Sequence, residues 1–129
     1  MPLLRFDLIE GRSDAELQAL LDAAHRAMLA AFKVPARDRY QIVHEHSAKQ
    51  LIIEDTALGI ARTSKVVFLQ VTTQPRPREL KEEFYRLLVG ELETSCGISA
   101  ADVVVSMITN ADEDWSFGHG RAQFLTGEL

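Results

Sequence analysis

The chain has a single cysteine among 129 residues, so Cys96 has no partner for an internal disulfide, the usage of a reducing compartment. It lies at the end of a helical pattern, in Thr94-Ser95-Cys96-Gly97 with no base beside it, and reads as a packing residue. Basic residues number 14 against 19 acidic ones, and the two signs are interspersed. Without a basic stripe, phosphate-driven binding of nucleic acid is excluded. No apolar run approaches the ~18 residues of a membrane span, and no charged leader precedes an apolar segment. These absences predict a cytoplasmic protein that does not enter a membrane. Metal chemistry also lacks its ligands. His44 and His46 share one face of a strand pattern, but no further His or Cys completes a set. They are expected to face solvent and to hold no metal.

What remains is the balance of a globular protein, with 47% apolar and 26% charged residues. Its length suits one domain, residues 1–129. Leu3 to Ile9 alternates around Arg5 and Asp7 and reads as a strand. Ser13 and Glu16 form a capping-box pair that starts a helix. Leu17, Leu20, Leu21, Ala24, Met28 and Phe32 give that helix one apolar face, with His25 at its boundary. Tyr40 to His46 returns as a strand. Residues 47–65 form a long connection, with Leu51-Ile52-Ile53 as a short edge strand. Val66 to Thr73 is strongly β-prone. Pro77 or Arg78 opens a second helix with Leu80, Phe84, Leu87, Leu88 and Leu92 inward and Gly97 as its cap. Val103 to Thr109 is the last strand, and residues 110–129 are a tail.

The order of elements repeats at an offset of 64 residues, roughly 2–46 against 66–109, with Asp38 matching Asp102. Each half is strand, helix, strand, and a helical crossover makes the two strands parallel. The expected fold is α+β, a duplicated β-α-β unit with a four-stranded mixed sheet and both helices on one face. The other sheet face is expected to be bare and apolar, and to be covered by further copies of the chain.

Three features point to chemistry. Loss of Met1 before a small residue leaves the secondary amine of Pro2 at the start of a buried strand, and such an amine titrates near ~8. Arg76, in Gln74-Pro75-Arg76-Pro77-Arg78, offers a planar clamp for a carboxylate. Asp38 beside Pro2 favours the ammonium form and makes it an acid and carbonyl polariser. That suits loss of CO2 from a 3-oxo acid, whereas a tautomerase needs Pro2 neutral as a base. Trp115 and Phe117 either seal a subunit edge or wall an apolar pocket.

Nearly the whole chain resembles the malonate semialdehyde decarboxylase branch of the tautomerase superfamily. The likeness rests on Pro2 to Ile9, Val34 to Gln41, Glu54 to Gly59, Cys96 to Ser99 and the tail Asp114 to Leu129. It implies a homotrimer of β-α-β-β-α-β subunits that converts a small carboxylate, malonate semialdehyde, to acetaldehyde and CO2 without metal or organic cofactor, with hydratase side activity. Carried over by position, Pro2 is the cationic amine, Asp38 its acidic neighbour and Arg76 the carboxylate ligand, while Trp115, Phe117 and Phe124 form the wall. The family pattern carries an arginine where this chain has Gln74, which puts Gln74 and Arg78 forward as substrate-binding residues. A tautomerase or hydratase using the same Pro2 is a second reading, and a non-catalytic trimeric binding protein a third.

Overall fold

A computed structural model describes residues 1–129. Strands β1 (Leu3–Ile9), β2 (Tyr40–His46), β3 (Val67–Thr73) and β4 (Val103–Thr109) alternate with helices α1 (Asp14–Phe32) and α2 (Arg78–Cys96), and a short α3 (Gln123–Thr126) lies in the tail. The sheet order is β2-β1-β3-β4. Within each half the strands are parallel, β1 to β2 and β3 to β4, and β1 meets β3 antiparallel at the centre. No helix is long and apolar enough to cross a membrane.

Local chemistry fixes the helix limits. The Ser13 hydroxyl accepts from the Glu16 N–H and the Glu16 carboxylate accepts from the Ser13 N–H. Pro77 precedes α2, and Gly97 closes it in the left-handed region at φ 64°, where a Cβ would be strained. Leu20, Ala24, Met28 and Phe32 of α1 and Phe84, Leu88 and Leu92 of α2 are buried against Leu4, Phe6, Leu8, Val67, Leu69 and Val71. Phe32 and Phe84 stack between the helices, ring centres 5.3 Å apart.

The repeat is imperfect. Element limits recur 64 residues on, from Leu3 to Val67 and from Phe32 to Cys96. The pleat does not: even positions of β1 are buried, odd positions of β3. A strand has a side-chain period of two, so the strands of the halves are out of phase by one residue while the helices stay in phase.

Three expectations need correction. Leu51-Ile52-Ile53 pairs with no strand, and Ile52 is 75% exposed. Instead Ile52 and Ile53 border a cavity with Phe68 and Val104, on the sheet face away from the helices. That face is not purely apolar, because Arg5, Asp7 and Gln70 stand on it among Leu3, Ile9 and Phe68. His44 and His46 are not merely solvated. His46 Nε2 donates to Asp7 Oδ1 at 2.6 Å, with His44 Nδ1 at 3.8 Å from the same oxygen.

Candidate active site

The amino end of β1, the turn before β2 and the turn after β3 meet within one subunit. Antiparallel pairing of β1 with β3 sets Leu3 opposite Thr72, which brings residues 73–76 beside the chain start. Parallel pairing sets Leu3 beside Tyr40, which brings Asp38 to the same corner. Sequence reasoning left open whether neighbouring subunits are needed for this meeting; one chain achieves it.

In this chain Met1 is attached, so Pro2 is a buried amide and the free amine is that of Met1. The Met1 ammonium donates to Gln74 Oε1 at 3.0 Å, and Gln74 Nε2 donates to Asp112 Oδ1. Both ends of the Gln74 amide are thereby engaged. Gln74 serves as an acceptor for the Met1 amine, and its Nε2 keeps a second N–H beyond the one it gives to Asp112. The Asp112 carboxylate holds the amide in that orientation.

Asp38 is 6% exposed, and both its carboxylate oxygens are buried without a hydrogen-bond partner. Its backbone N–H closes the turn onto the Pro35 carbonyl at 2.9 Å, so the side chain caps nothing. Burial pushes its pKa up from 3.8, opposed by the positive terminal amine, Arg76 and His25. His25 is not a boundary residue. It is buried, and its Nε2 lies 2.9 Å from the Ala36 carbonyl, which can only accept, so Nε2 carries the proton and pins the turn.

Arg76 lies over the Phe32 ring, 4.9 Å from its centre, and its Nε donates to Thr73 Oγ1 at 3.1 Å. Those contacts fix the guanidinium plane and leave Nη1 and Nη2 as an edge for a carboxylate. Burial lowers its pKa and Asp38 raises it. Arg78 is exposed at the first position of α2 and does not line the cavity.

The free amine at this corner, that of Met1, has its own balance. Burial lowers its pKa most, Asp38 and Asp112 raise it and Arg76 lowers it, with a net fall below 8.0. A neighbouring carboxylate therefore opposes, and does not outweigh, the cost of burying the ammonium.

An open cavity of about 390 Å³ begins at Met1 and is lined by Asp38, Arg37, Tyr40, Phe117 and Leu129. Phe117 joins its wall to the tail: it stacks on Trp115 at 5.4 Å, meets Phe124 edge-on at 5.4 Å and lies 5.9 Å from Tyr40. Trp115 Nε1 donates to Asn110 Oδ1 at 2.8 Å. Gln123, buried, accepts from the Phe117 N–H and donates to the Gly118 carbonyl, which shapes this turn. Asp112, Tyr40 and Gln123 escaped sequence reasoning. Only the strand register and the tail's path bring them here.

Comparison with known proteins bears on this corner. Family models described as "Tautomerase enzyme" match residues 2–69 and 38–118. A "probable tautomerase", YrdN of Bacillus subtilis strain 168, is 58% identical over 129 residues, all of both chains. A crystal structure of malonate semialdehyde decarboxylase, described with decarboxylase and hydratase activities, superposes with TM-score 0.97 at 57% identity over 98% of each chain. The FG41 malonate semialdehyde decarboxylase inhibited by 3-bromopropiolate gives 0.95 at 40% identity, over 98% of this chain and 97% of that one. A fused 4-OT, a symmetric trimer, shares the fold at 22% identity and TM-score 0.79, over 97% and 98% of the two chains.

Proposed function

The chain belongs to the tautomerase family, and from that membership we propose that, with Met1 removed, it is a cofactor-free decarboxylase of malonate semialdehyde or a similar small 3-oxo acid. The observation that carries the reading is the unpartnered carboxylate of Asp38 buried beside the terminal amine and Arg76. A buried carboxylate without hydrogen bonds is costly to keep ionised, and a fixed cation next to it lowers that cost. The likeness to two malonate semialdehyde decarboxylases supports the substrate class.

On this reading the substrate carboxylate lies on the free edge of Arg76 and its aldehyde oxygen faces the Pro2 ammonium. The bond between the carboxyl carbon and C2 breaks. Its electron pair forms the C2–C3 double bond while the aldehyde oxygen takes the proton of Pro2. The products are CO2 and the enol of acetaldehyde, which gains a proton at carbon to give the aldehyde. Neutral Pro2 is then reprotonated from solvent. Asp38 holds the ammonium charge before transfer. Arg76 favours the carboxylate over neutral CO2, so its contribution is binding and orientation, and the ammonium supplies the acceleration. The walls of Trp115, Phe117 and Phe124 exclude water from the developing CO2. Addition of water to an unsaturated acid uses the same acid and the same clamp.

One observation favours a second reading. Burial lowers the pKa of the Met1 amine at this corner, and a Pro2 amine buried in the same way suits the base of a tautomerase. Rate against pH separates the two: decarboxylation falls as pH rises through the amine's pKa, and base-driven tautomerisation rises. A malonate semialdehyde rate that rises through that pKa overturns the first reading.

We also propose that the working protein is a homotrimer. The support is the uncovered sheet face carrying Leu3, Phe68 and Val104, and the trimer formed by the fused 4-OT of the same fold.

A further inference from the structure

Both carboxylate oxygens of Asp38 lack a hydrogen bond, so no contact of the side chain itself fixes where its charge stands. The other half of the chain holds its aspartate differently. At the same place 64 residues on, Asp102 closes an equivalent turn, its N–H donating to the Ser99 carbonyl as that of Asp38 donates to Pro35, each at 2.9 Å. The Asp102 carboxylate is anchored directly, accepting the Thr63 N–H at 2.7 Å and the Thr63 hydroxyl at 2.5 Å. A carboxylate so engaged has fewer lone pairs left for a neighbouring ammonium. Asp38 keeps all of its own, and its place is set by the backbone of its turn.

Three neighbouring residues of α1 hold that backbone. His25 Nε2 donates to the Ala36 carbonyl at 2.9 Å, just ahead of Asp38. Asp22 pairs with Arg39 at 2.7 Å, and the Leu21 carbonyl accepts from Gln41 Nε2 at 2.7 Å. The Asp22–Arg39 pair is half-exposed, and such pairs contribute little. Gln41 belongs to β2 and is placed by its strand pairing with Leu4 in any case. His25 is therefore the tie that decides where the turn stands. It is the only buried histidine of the four, so its ring is fixed by packing. Its counterpart in the half whose aspartate is anchored directly is Val89, which has no side-chain donor. The histidine occurs only where the carboxylate is left free.

We propose that His25 is a positioning residue: by holding Ala36 it keeps the Asp38 carboxylate beside the amine, and so sets how firmly Pro2 holds its proton. This rests on the reading of Pro2 as the working amine. The charged groups acting on the amine at this corner are Asp38, Arg76 and Asp112, and His25 reaches it only through Asp38. Asp38 raises the pKa of the Met1 amine; acting likewise on Pro2, its displacement leaves a more acidic ammonium.

The experiment is a nitrogen NMR titration of the Pro2 amine in proline-labelled protein whose mass shows Met1 removed. His25→Leu and His25→Asn both break the bond, the Asn amide being too short to reach Ala36, so the comparison survives a failure of either to fold. His25→Gln can remake it. Breaking the bond is expected to lower the amine's pKa by about half or more of the fall produced by Asp38→Asn, with His25→Gln near native. Combined with Asp38→Asn, it should add less than about 0.3 unit. An amine unmoved by Asp38→Asn or by loss of the bond overturns the proposal, as does a fall that adds in full to that of Asp38→Asn. A His25→Gln protein that matches His25→Leu also overturns it, because the effect then lies in the ring itself. The titration reads the amine directly and so separates this role from the reaction. Protein that shows these shifts but releases no acetaldehyde refutes the decarboxylase reading alone, and protein that decarboxylates without them refutes only the role of His25.

Discussion

Replacing Arg76 by alanine isolates the carboxylate clamp from the acid. Nε is committed to Thr73 and the ring face to Phe32, so the two Nη atoms are what a substrate carboxylate can use. Hydrogen bonds to charged groups contribute about 1.5–3 kcal/mol each. Two of them lost together come to about 3–6 kcal/mol, or a fall of order 10²–10⁴ in kcat/KM. The loss is expected in KM, since Arg76 binds the carboxylate more tightly than the departing CO2. Arg76 also lowers the pKa of the Met1 amine at this corner; acting likewise on Pro2, its removal moves the alkaline limb of the rate profile to higher pH. The fold should change little: the lost cation–π contact, about 0.5–1 kcal/mol at a half-exposed site, is offset by no longer desolvating a charge. The assay is steady-state decarboxylation across pH, with thermal melting at matched protein concentration. A KM within twofold of native, or a kcat that collapses while KM holds, refutes the assigned role.

Asp38→Asn tests the buried carboxylate through stability. The folded pKa of Asp38 lies above its unfolded value of 3.8, so the native protein loses stability as pH rises from there through the folded pKa. The melting-temperature advantage of Asp38→Asn should therefore be absent below that window and grow across it, while turnover falls. An advantage that shrinks with rising pH contradicts the burial argument. Gln74→Arg places a cation beside the amine and against Asp112. The rate limb should shift to lower pH and KM should fall about tenfold or more if the new side chain reaches the carboxylate; an unmoved limb argues that position 74 does not sense the amine. Phe117→Ala removes the ring shared by Trp115, Phe124 and Tyr40. It should cost about 1–3 kcal/mol in denaturant unfolding and lower kcat as water enters; an unaltered kcat makes this wall structural only.

The secondary structure was legible because local signals coincide with tertiary ones. The Ser13–Glu16 box, the heptad-like faces of α1 and α2 and the cap at Gly97 each mark a boundary that packing then keeps. Leu51-Ile52-Ile53 misled because a short apolar run looks the same whether it pairs as a strand or lies against a sheet face. Pleat phase was equally hidden: the halves keep their spacing while their strands invert, and alternation alone does not tell which face meets the helices. At the corner, residue types revealed Asp38 and Arg76 as candidates, but partners come from three-dimensional neighbours. Gln74 stood out by its place in the chain, but its contact with Asp112, 38 residues away, is visible only in the structure. His25 looked peripheral until the Ala36 carbonyl was found against it.

The central claim is that an amino-terminal Pro2 ammonium drives decarboxylation, and proton NMR tests it most directly. Protein whose mass shows Met1 removed is mixed with malonate semialdehyde and followed in time beside Pro2→Ala. The account predicts acetaldehyde from the native protein and a rate at least about 10²-fold lower from the variant, the usual scale of a lost general acid. Native protein that yields no acetaldehyde, or a variant that matches it, contradicts the claim.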